Sequence, residues 1–234
     1  MALQPVQYQV DGVALTGYLA DGSGGRAAPG ILVAHEGGGL SDHAKRKASR
    51  LAELGYVAFA LDMYGKTATT PEEAAPLFQG MMSDGEALRR RALAGLDVLR
   101  NAPNVDPNRL GAIGFCFGGV VAMELARADA PIRCAIGFHP SFKRPSPSPD
   151  GPISARVLMI IGDADPIVPV EDRAAFAAEM KAAGADWQLH VFGGVGHSFT
   201  NPAVDALNFP GFAYDAIADR RSWAVMLNLL EEVF

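Results

Sequence analysis

Three short segments of the 234-residue chain hold residue types that could do covalent chemistry. The first, Gly114-Phe115-Cys116-Phe117-Gly118-Gly119, follows an apolar run and leads into a helical pattern. That is the setting of a nucleophile elbow, with cysteine where serine is commoner. A nucleophile there stands on a tight, strained turn, so glycines are needed where backbone approaches backbone. The helix N-terminus beyond it offers free N–H groups and the positive end of a dipole, which favour a thiolate and an oxyanion. The second segment, from Gly162 to Pro169, supplies Asp163 and Asp165 after another apolar run. The third, Gly193-Gly194-Val195-Gly196-His197-Ser198-Phe199, supplies an imidazole after one more. Nucleophile, acid and histidine in that order is the order hydrolase triads take on open α/β sheets. Cys116 by itself would equally suit a buried core cysteine. Agreement of three positions in order and context favours catalysis.

His35-Glu36-Gly37-Gly38-Gly39 ends a further apolar run. A glycine-rich loop there can bring a backbone N–H opposite the elbow, so that the Gly37 and Phe117 amides hold a developing oxyanion. Glu36 poses a puzzle, because a carboxylate beside Cys116 would raise the thiol's proton affinity and oppose the helix dipole. His139 follows another strand at its C-terminal tip, where it either lines the pocket or, the preferred reading, is a loop histidine; His35 reads as structural, and His43 and His190 carry no assignment. Cys134 lies inside a strand and reads as core. No histidine or cysteine pair has metal-ligand spacing, so neither a metal nor a cofactor is expected. Gly193 to Gly196 lacks the acidic partner of a dinucleotide loop.

The elements that must position these residues are legible as a pattern. Val6, Tyr8 and Val10 alternate with polar residues, Asp11-Gly12 is a turn, and Val13 and Leu15 resume the period of two, which predicts a hairpin. Apolar runs then alternate with helical patterns. Strands are expected over 31–34, 56–61, 110–115, 132–138, 157–161 and 187–192. A helix capped by Ser41 should bury Ala44, Ala48, Leu51 and Ala52, and Ser83 with Glu86 should form a capping box ahead of Leu88. Helical patterns recur at 120–128 and 174–183, and a final helix carries Trp223, Met226, Leu227, Leu230 and Phe234. Pro140 to Pro152 is a proline-rich loop. The expectation is one α/β domain over 1–234, with a mostly parallel central sheet, an N-terminal antiparallel hairpin and helices on both faces. Right-handed crossovers gather the strand tips on one edge.

Composition narrows the partners. Hydrophobic residues make up 49% of the chain, enough to bury a large core without disulfides or a structural metal. Twenty Lys and Arg against 26 Asp and Glu give a net charge of −6, which argues against nucleic acid. No signal peptide or membrane span is visible, and two cysteines make no disulfide framework, so a cytoplasmic protein is expected, as a monomer or small homo-oligomer.

Together, Gly-Phe-Cys-Phe-Gly-Gly, Asp-x-x-Val-Pro, Gly-His-Ser-Phe, the His35-Glu36-Gly37 segment and Asp62-Met63-Tyr64-Gly65-Lys66 resemble the dienelactone hydrolase family of α/β-hydrolases. The likeness runs from about Gln7 to Phe234. It implies a Cys116–His197–Asp165 triad acting on an ester or lactone, and it selects Asp165 over Asp163. It also implies that Glu36 holds the resting thiol until substrate arrives; Tyr64, Lys66 and Phe199 are the candidates to face the substrate, with Lys66 equally readable as a solvated loop lysine. The family grips a substrate carboxylate with two arginines, whereas this chain has Lys66 and Asn201 at those places. Lys66 keeps the charge without the bidentate fork, so a related carboxylic ester, lactone or thioester is expected instead of dienelactone itself. A thioesterase or acyl transferase on the same scaffold, a ligand-binding protein without catalysis, and a redox-sensing thiol protein are the alternatives.

Overall fold

The computed structural model describes residues 2–234. Strand β1 (Gln4–Val10) and β2 (Val13–Asp21) form the expected hairpin, with Val10 opposite Val13. Asp11 and Gly12 both take positive φ, 51° and 77°, as a two-residue turn matched to strand twist requires. From β3 (Ala28–Ala34) onward the chain alternates. The helices and strands are α1 (Asp42–Ala52), β4 (Val57–Ala60), α2 (Pro71–Ser83), α3 (Gly85–Arg100), β5 (Val105–Phe115), α4 (Phe117–Arg127) and β6 (Cys134–Phe138). They continue with β7 (Arg156–Gly162), α5 (Val170–Ala182), β8 (Trp187–Phe192) and α6 (Ala216–Val233).

The eight strands form one sheet in the order β1-β2-β4-β3-β5-β6-β7-β8, and every pairing from β4 to β8 is parallel. Central strands buried on both faces explain the continuous apolar runs. On one face Ala44, Ala48 and Leu51 of α1 pack with Trp223, Met226, Leu229 and Leu230 of α6. On the other, Leu88, Ala92 and Leu96 of α3, Val121 and Leu125 of α4, and Phe176 and Met180 of α5 form the second core layer. Cys134 is fully buried, and burial pushes its thiol up to about 12.

Two local expectations need correction, and one helix is additional to them. Ser41 occupies the N-cap of α1, but its hydroxyl makes no cap hydrogen bond. The helix containing Leu88 is capped by Asp84, whose carboxylate accepts from the Ala87 N–H at 2.9 Å, while the Ser83 hydroxyl donates to the Gly80 carbonyl. Ser83 instead ends α2, a helix the periodicity did not reveal. Among its residues only Met81 is buried, so it presents no apolar stripe.

A charged group lies deep beneath the proline-rich segment. The Glu124 side chain is fully buried and accepts from Arg89 at 2.9 Å, Arg127 at 3.0 Å and the Ser148 hydroxyl at 2.5 Å. Each carboxylate oxygen is thereby neutralised, which is the condition for burying a charge. The arrangement ties loop 139–155 to α3 and α4.

Candidate active site

The parallel strands end on one edge, and every residue singled out for chemistry lies just beyond a tip there. Glu36 follows β3, Tyr64 follows β4, Cys116 follows β5, His139 follows β6, Asp165 follows β7 and His197 follows β8.

Cys116 joins β5 to α4 with φ 53° and ψ −113°, a conformation costing a side-chain-bearing residue about 1–3 kcal/mol. Its N–H donates to the Phe138 carbonyl at 2.9 Å, which pins the turn to the neighbouring strand. The glycines leave no alternative. A Cβ on Gly114 would lie 1.9 Å from the Gly118 carbonyl oxygen, and one on Gly118 would lie 2.2 Å from that of Ala34. The turn lifts the cysteine out of the sheet, so it is partly exposed where Cys134 is buried.

His197 is fully buried and held from three directions. Its backbone N–H donates to the Gly211 carbonyl at 2.8 Å, and the Phe212 and His139 rings pack on its imidazole at 4.7 and 5.2 Å between centroids. Its Nδ1 meets the Oδ2 of Asp165 at 2.7 Å. The other carboxylate oxygen of Asp165 accepts from the Ile167 N–H at 2.8 Å. Asp163, in contrast, is exposed and pairs with Arg173 at 3.1 Å. Of the two aspartates only Asp165 reaches the imidazole.

Burial alone would depress the proton affinity of His197, but the adjacent Cys116 and the Asp165 carboxylate more than reverse this and push its pKa up to about 10. Nε2 nevertheless makes no fully aligned hydrogen bond among the described residues, so the resting contact with Cys116 is loose. Such slack is common in unliganded catalytic sites and closes around substrate.

Facing Cys116 across the tips is the Glu36–Gly39 loop. Among the described residues neither the Gly37 N–H nor the Phe117 N–H donates to a protein acceptor. The wall beside them is aromatic: Tyr64 stacks on Phe117 at 5.6 Å and Phe78 meets Phe117 edge-on at 5.7 Å. The Tyr64 hydroxyl is buried without a hydrogen bond among the described residues, and burial together with the neighbouring Cys116 holds it protonated well above the usual tyrosine range. Lys66 is exposed, on a loop whose Ala68 N–H donates to the Gly38 carbonyl at 2.8 Å.

Three side chains lie elsewhere than expected. A hydrogen bond from the thiol to Glu36 is not among those the described residues make. The Glu36 Oε2 accepts instead from Asn201 Nδ2 at 2.5 Å and lies 3.6 Å from His43 Nδ1, while its Oε1 makes no hydrogen bond among the described residues. Burial raises this carboxyl's pKa, against the lowering influence of Asn201 and His197. Phe199 is fully buried against His139 at 5.1 Å and Phe192 at 6.0 Å, so it supports the histidine loop from behind instead of facing substrate. His139 is no surface-loop histidine: it is fully buried with φ 40°, its ring lies against that of His197, and its Nε2 pairs with the Thr200 hydroxyl at 2.8 Å. Burial, reinforced by neighbouring His197, keeps it neutral. The strand tip before His139 was the available signal, but nothing in the spacing shows that loop folding inward. His35 is structural as expected, its Nε2 accepting from the Met63 N–H at 3.2 Å. Among the described residues no cluster of three or more His, Cys, Asp or Glu is arranged to hold a metal ion.

Comparison with known proteins gives a consistent result. The model of the dienelactone hydrolase family matches residues 15–234. The solved structure of m3DLH is 40% identical and superposes with a TM-score of 0.95, covering 100% of this chain and 98% of that one. A dienelactone hydrolase-like promiscuous phosphotriesterase from metagenomic libraries is 37% identical with a TM-score of 0.90, at the same coverage. A Bradyrhizobium protein named "Probable 2-oxo-3-(5-oxofuran-2-ylidene)propanoate lactonase" is 28% identical over 216 residues, 83% of this chain and 80% of its own. The sheet order, with helices on both faces, is that of α/β hydrolases.

Proposed function

The chain belongs to the dienelactone hydrolase family and is a hydrolase of carboxylic esters and lactones, and from that premise we propose that Cys116 is its nucleophile, His197 its general base and acid, and Asp165 the group that orients His197. The observation that carries this reading is His197 itself: buried, bound to Asp165 through Nδ1 at 2.7 Å, and made strongly basic by Cys116 and Asp165 despite its burial. A protonated His197 beside the sulfur stabilises a thiolate, which is the reactive form.

In the proposed cycle the Cys116 thiolate attacks the acyl carbon, and the carbonyl electrons move onto oxygen. The Gly37 and Phe117 amides receive that oxyanion; one such donor is typically worth about 10²–10³ in rate. Collapse expels the alcohol oxygen, which takes the proton from His197 Nε2, and leaves a thioester on Cys116. His197, now neutral, draws a proton from water as the water adds to the thioester. The second collapse releases the acid and restores the thiolate and imidazolium. Asp165 keeps the Nδ1 proton in place throughout.

The surroundings favour a compact, uncharged acyl group. The walls are the rings of Phe78, Phe117 and Tyr64, and Lys66, the one cation on the loop whose Ala68 N–H donates to the Gly38 carbonyl, is exposed. Replacing Cys116 with Ala should abolish hydrolysis of an activated ester while leaving the unfolding transition in place; undiminished turnover would remove Cys116 from the mechanism. A panel of lactones and esters with and without a free carboxylate should show no preference for the carboxylates, and a marked preference would assign Lys66 as their anchor.

A further inference from the structure

Behind the site, on the far side of the His197 loop, α1 displays His43, Arg46, Lys47 and Arg50 along one face, the spacing that stacks side chains on successive turns. They line a cavity of about 300 Å³ with Thr200 and Asp219. The Lys47 ammonium contacts Asp219 at 2.7 Å, and the Arg50 guanidinium lies over the Trp223 ring at 4.1 Å. Among the described residues neither Arg46 nor Arg50 has a carboxylate partner, so three cations share Asp219, with Glu36 behind the inner wall, its Oε2 3.6 Å from His43 Nδ1. Like charges one turn apart destabilise a helix unless something neutralises them.

We propose that this cavity binds a small phosphate-class oxyanion, free or as the head of a small monoester. The charge fits in sign: Arg46, Lys47 and Arg50 outnumber Asp219 and the Glu36 carboxylate behind His43, leaving a positive excess for a phosphate that is anionic near neutral pH. The size fits as well, since the cavity is at the small end of ligand pockets. Arg46 offers an unengaged planar fork and Lys47 a point charge, the two usual modes of phosphate recognition. The inner wall already feels the field. His43, only 4% exposed, has its Nδ1 3.6 Å from Glu36 Oε2 without a hydrogen bond among the described residues, and is held neutral first by burial and then by Lys47 and Arg46.

The location gives such an anion a route to the active site. His43 Nε2 donates to the Thr200 carbonyl at 3.0 Å, and the Thr200 hydroxyl pairs with His139, the ring packed on His197. The next residue, Asn201, holds Glu36. An oxyanion in the cavity would thus brace the segment 197–201 from outside. This inference does not depend on which residue is the nucleophile.

Trp223 reports on the cavity, and Trp187→Phe makes it the sole tryptophan. Titration with inorganic phosphate should give a saturable fluorescence change that sodium chloride at matched ionic strength does not reproduce. Arg46→Ala should weaken it about tenfold or more, the loss of one charged hydrogen bond. Arg46→Lys should restore part of it, and Arg26→Ala, which removes an exposed arginine elsewhere, should leave it unchanged. Tighter binding of glycerol 3-phosphate than of phosphate identifies a monoester as the source, and equal binding the free anion. Calorimetric titration of the unsubstituted protein provides the same comparison if Trp187→Phe perturbs folding. A change no greater than that with chloride, or equal affinity in Arg46→Ala, would overturn the proposal.

Discussion

Replacing Asp165 with Asn probes the link between buried acid and base at constant size. The contact is 2.7 Å from Asp165 Oδ2 to His197 Nδ1, with both side chains removed from solvent. A charged hydrogen bond of this kind is worth about 1.5–3 kcal/mol, and one pKa unit corresponds to about 1.4 kcal/mol. Neutralising the acid therefore lowers the His197 pKa from about 10 by roughly one to two units. The larger effect is on the tautomer. An amide nitrogen facing Nδ1 favours the ring with its proton on Nε2, which cannot accept one from Cys116 or water. In a serine protease that error alone costs about 10⁴-fold. We expect kcat/KM for an activated ester to fall by about 10²–10⁴-fold. Asp163→Asn removes an exposed carboxylate paired with Arg173 and should change kcat/KM by no more than a few-fold. A loss under about tenfold in Asp165→Asn, or similar losses in both variants, would refute this reasoning.

Further expectations follow from the elbow, the buried charge and the neutral histidines. Gly114→Ala forces a Cβ to within 1.9 Å of the Gly118 carbonyl oxygen, so the elbow must shift; urea unfolding should show a loss of about 1–3 kcal/mol and ester kinetics about a 10²-fold loss, and unchanged values would mean the turn is not tight. Glu124→Ala leaves Arg89 and Arg127 without their shared partner and should cost about 3–5 kcal/mol in the same unfolding assay, with a loss below about 1 kcal/mol contradicting the network's role. His43 is held neutral with its pKa pushed down to about 3, below the 6.5 of an unfolded histidine. Its contribution is present in full above about pH 6.5 and is lost as pH falls toward 3, at about 1.4 kcal/mol per unit. His139, depressed in the same direction, adds to the slope. Urea midpoints measured down from neutral pH should fall more steeply in the parent than in His43→Gln, and parallel curves would count against a buried neutral His43.

The candidate site was legible because each of its residues lay in a loop that follows an apolar run and contains glycine, and parallel sheets place such loops together. Gly114 and Gly118 are legible for the same reason, since backbone contact admits no other residue. What stayed hidden depends on tertiary contact. Glu124 reads as an ordinary helix-surface glutamate until Arg89 and Ser148 arrive from distant segments. His139 and Phe199 are ordered by packing on one another, which no spacing encodes. For α2 a signal was present and local: Thr70 before Pro71, with Glu73 three residues on, is a helix start, and the Glu73 N–H does donate to the Thr70 hydroxyl at 3.4 Å. The helix went unseen because its burial is too slight to produce a periodic stripe. Aspartate at the cap of α3 was likewise masked by the adjacent Ser83.

The central claim is that acyl transfer passes through the sulfur of Cys116. Rapid quenching of the enzyme with an activated ester, followed by intact-mass and peptide mass spectrometry, tests it directly. The account predicts a transient adduct of one acyl mass on the peptide containing Cys116, accumulating further in Asp165→Asn if deacylation slows more than acylation, and absent in Cys116→Ala. Undiminished turnover with no acyl adduct at any time, or an adduct on a residue other than Cys116, would contradict it.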